Sequence, residues 1–370
     1  MLIEVIENEK EFYRLENDWR RLLQDSESCS IFLTWEWMSS WWHAYGDGKS
    51  LKILKVHDNG KVVGIAAFYS CIRNKFYIPF RTLQLMGDGS ADSDYLDLIS
   101  LRGKEEAVAS AVWDYLSGIS GEWDILLLNE VQADSKALSV IKINTRSADF
   151  FQEEGISECP YISLPKSWDA YLQSLKPRMR TKVRSLCRKL EDNHSVEFEI
   201  CTDVDCLQEK LRSLYELHHQ RWELKDQKGV FSRAGKQEFY RQMSEKFLNN
   251  DWLRFYSLKV DGKYVAHQFC FQYQGTMSLL QEGFDPDWLN NGVGNVLRAY
   301  VIRDCIEREL KIYDFLAGVT PHKLSWGTEL NTNARLALGR RNLKNAIYFQ
   351  LPVILRKIKR MVTSAVKRVG

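Results

Sequence analysis

The sequence contains no CxxC pair, no GxSxG, no HExxH and no GxxxxGK[ST], which removes thiol-redox, serine-hydrolase, zinc-protease and P-loop chemistry from consideration. Its eight cysteines, at 29, 71, 159, 187, 201, 206, 270 and 305, follow no ligand spacing, so neither a structural zinc nor a disulfide framework is expected. Charge of one sign is missing too. The 51 Lys and Arg stand against 49 Asp and Glu, and such a balance gives the whole molecule no field that would gather DNA. No run approaches the ~18 uncharged apolar residues of a membrane span. The segment Met1-Leu2-Ile3-Glu4-Val5-Ile6-Glu7 carries acids where a secretory signal would carry Lys or Arg. A cytoplasmic, reducing setting is the expectation.

What is present is a chain of 370 residues, 45% apolar and 12% aromatic, enough for about two hydrophobic cores. Periodicity predicts two passes through one order of elements. Helical spacing in Phe12, Leu15, Trp19, Leu22 and Leu23, and again over 35–45, precedes a strand over 51–56, a turn at Asp58-Asn59-Gly60 and a strand over 61–69. Strands over 81–86 and 95–99, a helix over 105–116 and an apolar strand over 123–128 follow. The order restarts with helical spacing in Leu207, Leu211, Leu214 and Leu217, a helix over 239–247, and strands over 253–260 and 263–273 around Asp261-Gly262. Gly60-Lys61-Val62-Val63 faces Gly262-Lys263-Tyr264-Val265 without a gap, and Trp123-Asp124-Ile125-Leu126 resembles Tyr313-Asp314-Phe315-Leu316. The expected class is α/β with mixed (α+β) sheets in a tandem duplication. Its expected parts are an N-terminal half (1–150), a connector with a basic helix (151–200), a catalytic half (201–345) and a basic amphipathic tail helix (346–370).

Chemistry is sought where strands end. Before a predicted helix, Gly292-Val293-Gly294-Asn295 forms a glycine turn whose amides, with the first amides of the helix, suit the phosphates of a cofactor. An ordinary strand-to-helix turn would look the same. After the next strand come His322 and Lys323, a base and a positive charge of the kinds acyl transfer requires. Asp314 could orient either group or simply cap backbone amides. In the connector, Lys176, Arg178, Arg180, Lys182, Arg184, Arg188 and Lys189 stand within fifteen residues with no acid, a phosphate-binding face or a solvated one. Asp94 and Asp97, in an acidic loop that begins at Gly87, could hold sugar hydroxyls; the closing Glu of a calcium loop is absent, and no metal is expected.

Trp35-Glu36-Trp37, the hairpin from Asp58 to Gly64, Ser93-Asp94-Tyr95-Leu96-Asp97-Leu98, Tyr161-Ile162-Ser163-Leu164-Pro165, Arg221-Trp222, Gly283-Phe284-Asp285 and Asp314-Phe315-Leu316-Ala317-Gly318 together resemble the bacterial CelD/BcsL-type GNAT acyltransferases over roughly residues 1 to 345. That family is related in architecture to the FemAB-like aminoacyl (peptidyl) transferases. The resemblance implies two GNAT-like halves. It also implies acyl-CoA, acetyl-CoA above all, as co-substrate, and transfer to an amine or hydroxyl of a small-molecule or sugar-linked acceptor in cell-surface polysaccharide or cellulose production. It puts the cofactor at Gly292, Val293, Gly294 and Asn295 and a charge-stabilising lysine at Lys323; beside these, the residues themselves offer His322 and Asp314 for catalysis and Arg180, Arg184, Asp94, Asp97 and Trp222 for the acceptor. Leu289 stands where the usual GNAT loop has Gln or Arg, and His322 where the relatives carry an aromatic residue. An aminoacyl-tRNA-dependent transferase and a catalytically inactive binding pair are the alternatives.

Following Pro352, read as a first-turn residue, Ile354, Ile358, Met361, Val362, Ala365, Val366 and Val369 line one helical face, with Arg356, Lys357, Lys359, Arg360, Lys367 and Arg368 on the remainder. Residues 352–370 are thus expected either to dock on the protein's own body or to touch an anionic inner membrane face.

Overall fold

The computed structural model describes residues 1–145, 149–223 and 229–369, and in the last helix the side chains of 361, 362 and 364–369 lie outside the described residues. In chain order the elements are β1 (Leu2–Ile6), α1 (Glu9–Arg14), α2 (Glu16–Gln24), α3 (Trp35–Tyr45), β2 (Ser50–Asp58), β3 (Lys61–Lys75), β4 (Ile78–Leu85), β5 (Ile99–Ser100), α4 (Glu105–Gly118), β6 (Ile125–Gln132), α5 (Lys136–Asn144) and β7 (Phe150–Ser163). The chain continues with α6 (Trp168–Ser174), α7 (Pro177–Asn193), β8 (Val196–Ile200), α8 (Val204–Glu223), α9 (Lys236–Asn249), β9 (Leu253–Val260), β10 (Lys263–Tyr273), β11 (Thr276–Phe284), α10 (Val293–Glu307), β12 (Ile312–Asp314), α11 (Pro321–Leu324), β13 (Glu329–Arg340) and α12 (Leu343–Val369).

Two compact units result. Unit 1 comprises Met1–Trp35, Gly46–Ser157 and Asn333–Gly370, and unit 2 comprises Glu36–Tyr45 and Glu158–Thr332. In unit 1 the strands run β1-β2-β3-β4-β6-β13, with β5 on β3; β4 and β6 pair in parallel, and β6 and β13 antiparallel. In unit 2 the order is β8-β9-β10-β11-β12-β7; β11 and β12 pair in parallel, and β12 and β7 antiparallel. Strand for strand the two courses coincide, and α4 and α10 occupy the same place in them. The mixed α/β class with a tandem duplication is therefore present.

Local chemistry explains the shared hairpins. Asn59 (φ 49°) with Gly60 (φ 75°), and Asp261 (φ 50°) with Gly262 (φ 78°), supply the pair of positive φ angles a two-residue turn needs. Unit 1 buries Trp19 against Phe12 and Trp35. Unit 2 buries Trp37 edge-on to Phe239, with centroids 4.9 Å apart, and packs α10 through Val296, Leu297, Val301, Ile302 and Cys305 into a core that includes Tyr313 and Trp326.

The structure departs from the sequence reading in several places. The chain over 95–99 is mostly loop, because only Ile99 and Ser100 find a partner strand, while Leu96 makes a single bridge to Val131. The expected connector begins inside a fourteen-residue strand, β7, and the strand before His322 and Lys323, β12, stops at Asp314. Most of α3 clusters with unit 2, and β13, unread in the sequence, completes unit 1. Pro352 opens no helix: α12 starts nine residues earlier, where Asn342 caps it through Asn345 N at 2.8 Å. The proline is tolerated inside because Lys75 Nζ donates at 3.0 Å to the Tyr348 carbonyl, the acceptor that a proline lacking N–H leaves open. Of the tail residues expected on the two helical faces, Met361, Val362, Ala365, Val366, Lys367, Arg368 and Val369 have side chains outside the described residues.

Candidate active site

In unit 2 the end of β11, the turn before α10 and the loop after β12 converge on a cleft of about 480 Å³, lined among others by Glu282, Leu289, Gly292, Gly294, Asn295 and His322. Gly292 makes the turn. Its φ of +66° is strained for other residues, and a Cβ there would lie 2.7 Å from the Leu186 side chain of α7. Its carbonyl accepts the amides of Asn295 and Val296, so the earlier first-turn amides, those of Val293 and Gly294, are left at the helix end. No acid stands in that first turn, and the positive end of the helix is not neutralised from within.

A polar chain crosses the cleft wall. Tyr313 Oη donates to Gln268 Oε1 (3.0 Å), and Gln268 Nε2 donates to Glu282 Oε2 (3.4 Å), which also takes Arg298 Nη2 in a salt bridge. Arg298 Nη1 lies 3.2 Å from the His322 ring nitrogens, and His322 Nε2 lies 3.0 Å from Asn295 Oδ1. One neutral tautomer satisfies both ends, with Nε2–H donating to Asn295 and Nδ1 accepting from Arg298. Arg298 is 1% exposed and stacks beside Phe315 and Trp326, so it cannot leave. Burial would raise the Glu282 carboxyl, but the Arg298 guanidinium outweighs it and holds the group below the usual range. Desolvation of the His322 ring, although its edge reaches solvent, and then the Arg298 charge push its pKa down to about 4. At neutral pH the cleft therefore presents an ionised Glu282 and an uncharged His322. Both donors to Glu282 use Oε2, which leaves Oε1 without a hydrogen bond among the described residues.

The family model described as acetyltransferase (GNAT) domain matches residues 177–324, a span that holds every residue of this cleft. Over that span unit 2 is similar to a GNAT acetyltransferase domain. Three solved structures share the fold of the chain. FemX, at 13% identity, covers 91% of this chain and 97% of its own with a TM-score of 0.62. A conserved protein of unknown function from Bacteroides thetaiotaomicron VPI-5482, at 14%, covers 91% and 100% with 0.59. L-PGS from Bacillus licheniformis, at 10%, covers 93% and 96% with 0.54. No curated protein sequence matches significantly.

Within the matched span, the residues expected at the cofactor, Gly292, Val293, Gly294 and Asn295, all line the cleft, as do His322 and Lys323. Lys323 Nζ donates to the carbonyls of Phe315 (2.9 Å), Leu316 (3.3 Å) and Ala317 (3.1 Å), and so clasps the loop in which Leu316 has φ +57°. Asp314 is buried and accepts the Leu316 amide at 2.7 Å, holding the same loop from its other side. Arg180 and Arg184 lie on the outer side of α7, where Arg180 bonds the Gln173 carbonyl. Trp222 donates to His218 Nε2 at 2.9 Å and does not line the cleft, whereas its neighbour Arg221 does. Asp94 and Asp97 belong to unit 1, where Asp94 accepts from Asn333 and Asp97 accepts from Ser28 and Ser135. Burial pushes the Asp97 carboxyl up to about 6, against the pull of Ser135. Glu282, Arg298 and Gln268 were missed by the sequence reading. The available signal was a charged or amide residue placed inside otherwise apolar strands and helices, which a half-buried position accepts only with a partner. Among the described residues no group of His, Cys, Asp and Glu could hold a metal ion.

Proposed function

We propose that the chain is an acyltransferase, with acyl-CoA as donor and an amine or hydroxyl as acceptor, and that both meet in the cleft of unit 2. The observation that carries this reading is the convergence of the unneutralised first turn of α10 with an ionised carboxylate in one concavity. The Val293 and Gly294 amides would hold a pyrophosphate, and the exposed Leu289 beside them would lie against the donor's apolar arm. Gly294 leaves room for this, since a Cβ there would meet only the Phe284 ring at 3.4 Å.

The acceptor's N or O attacks the thioester carbonyl, a C–N or C–O bond forms and the C–S bond breaks. The acceptor proton passes to Glu282 Oε1, and the carboxyl hands it on to the departing thiolate, which leaves as the thiol and restores the carboxylate. His322 supplies the adjacent polar wall against which the oxyanion develops, while Lys323 and Asp314 keep the loop in place. The CelD/BcsL-type resemblance supports acetyl as the group and a sugar-linked acceptor of cell-surface polysaccharide production.

One feature favours a second reading. The exposed Arg178, Lys182, Arg184, Arg188 and Lys189 of α7 form a basic face on the helix whose Leu186 abuts Gly292, which suits a longer polyanionic donor such as aminoacyl-tRNA. A thermal-shift panel of acetyl-CoA, longer acyl-CoAs, free CoA and aminoacyl-tRNA separates the two. A donor at a hundred times its Kd stabilises by ~2.7 kcal/mol. Stabilisation by acyl-CoA and CoA is expected; silence from every thioester removes the leading reading.

A further inference from the structure

Helix α12 changes character at Pro352. Before it, the helix is fixed to unit 1. The Asn345 side-chain amide donates to the carbonyls of Asp124 (3.0 Å) and Arg340 (2.9 Å), Lys344 pairs with Asp124 at 2.7 Å, and Phe349 stacks on Phe151 with centroids 5.5 Å apart. After it, all residues from Val353 to Arg360 are exposed, among them Val353 (45%), Ile354 (49%), Leu355 (46%) and Ile358 (47%). At ~100° per residue, Ile354, Leu355 and Ile358 share one side, while Arg356, Lys357, Lys359 and Arg360 occupy the rest of the circumference. An amphipathic terminal helix ordinarily turns its apolar stripe onto its own domain. This one does not, over the described residues. From Asn345 to Gly370 the sequence holds no Asp or Glu, and among the described residues no helix is long and apolar enough to cross a membrane.

We propose that the segment after Pro352 lies in the interface of an anionic lipid bilayer, its apolar stripe among the acyl chains and its bases among the headgroup phosphates. Charge selects this occupant. Two copies of the stripe packed together would bring their flanking cations side by side without an acid on either helix to pair them, whereas anionic headgroups neutralise every one. The length suits a helix lying flat: seventeen residues after Pro352 extend about 26 Å, and their bases forbid burial end to end. The proline lets this part of the helix leave the line of the part fixed to unit 1. The proposal is independent of the chemistry in the cleft.

The test uses full-length protein sedimented with vesicles of phosphatidylcholine alone, or of phosphatidylcholine with a quarter of phosphatidylglycerol. Pelleting with the anionic vesicles at ~50 mM salt, its loss at ~0.5 M salt, and none with neutral vesicles are expected. Ile354→Asp with Ile358→Asp, and separately Arg356→Gln, Lys357→Gln, Lys359→Gln and Arg360→Gln together, are each expected to cut binding at least tenfold. Both sets change exposed residues, and unchanged melting temperatures verify the fold. Failure of the parent protein to pellet with anionic vesicles, equal pelleting with neutral ones, or equal pelleting of the Asp variant overturns the proposal. So does a dimer seen without lipid by sedimentation velocity that the Asp variant abolishes, since the stripe would then belong to a second copy.

Discussion

Helices α4 and α10 occupy matching places in their units and lead into the matching parallel strand, yet α10 starts on a cleft of about 480 Å³ and α4, through Glu105, on one of about 210 Å³. The difference lies in a few residues. Helix α4 begins with Glu105 and Glu106, and Glu105 accepts the Gly103 amide at 2.9 Å. Burial would raise the Glu105 carboxyl, but the backbone amides it accepts from hold it below the usual range. The positive end of α4 is thus met by its own chain, while that of α10 is left for a ligand. The strand ends differ in the same sense. Where β11 presents an ionised Glu282 to the cleft, β4 runs into Gly87-Asp88-Gly89, and Asp88 is buried, accepting from Asn129 at 2.9 Å. Burial raises the Asp88 carboxyl, with Asn129 opposing. A duplicated fold has left one helix start without an acid and placed its own carboxylates at the other.

The largest contrast is expected at these two carboxylates. Glu282→Asp should lower turnover by ~10²–10⁴ while keeping a charge beside Arg298, and Glu282→Gln should add a stability loss of ~3–5 kcal/mol by leaving Arg298 buried and unpaired. Asp88→Asn should change neither turnover nor melting temperature appreciably. Steady-state kinetics and calorimetry on the three variants decide, and an active Glu282→Asp protein would end the assignment of the base.

Acid should separate the units next. Burial, then the charges of Arg221 and Lys210 respectively, push His218 to about 4 and His267 to about 3, both in unit 2. Unfolded histidines take up protons near 6.5, so between pH 6.5 and 4 the unfolded state binds more protons, and unit 2 loses on the order of 3 kcal/mol for each as pH falls. Asp97 in unit 1 acts the other way. With its folded pKa of about 6 above the unfolded 3.8, it gains stability over part of the same window. Hydrogen exchange at pH 7 and pH 4.5 should show protection falling in β9–β11 before β2–β4; simultaneous loss would contradict the difference. Over pH 5–8 turnover should be insensitive to His322, which is already neutral there.

Exchanging the helix starts gives a smaller effect. Gly294→Glu, which copies the acidic start of α4, should weaken CoA binding at least tenfold in calorimetric titration without lowering the melting temperature. Glu105→Gln should cost about 1 kcal/mol of stability and create no anion site. Smallest is Lys323→Met, expected to lower turnover about tenfold together with the melting temperature, since its ammonium clasps a loop. A fall of ~10²–10³ with the melting temperature intact would instead give Lys323 the oxyanion.

Much of this frame was legible in the sequence because it is local. Strands β9 and β10 follow from alternation closed by Asp261-Gly262, and α10 from its apolar spacing after Gly292 and Gly294. What escaped depends on distant partners. The strand β13 opens with the exposed Glu329–Asn331, and its pairing with β6, from Asn333 to Leu338, links it to residues roughly two hundred positions away. Glu282 and Arg298 look like surface charges until folding places them together. His322 and Lys323 were readable as chemistry-bearing residues near the turn, but the three carbonyls that engage Lys323 and the tautomer imposed on His322 belong to tertiary structure. The proline in α12 misled for the same reason, since Lys75, far upstream, supplies the bond it withholds.

The exchanged last strands have a consequence during synthesis. Leu126 on β6 pairs with Leu338 on β13, roughly two hundred residues later in the chain, after every element of unit 2. While the ribosome makes that intervening stretch, the apolar strand Ile125–Gln132 stands with one edge of its backbone unpaired. A nascent chain stalled anywhere before β13 is therefore a sticky species that invites strand addition from its neighbours on the polysome, and it depends on chaperone cover until the final strand emerges.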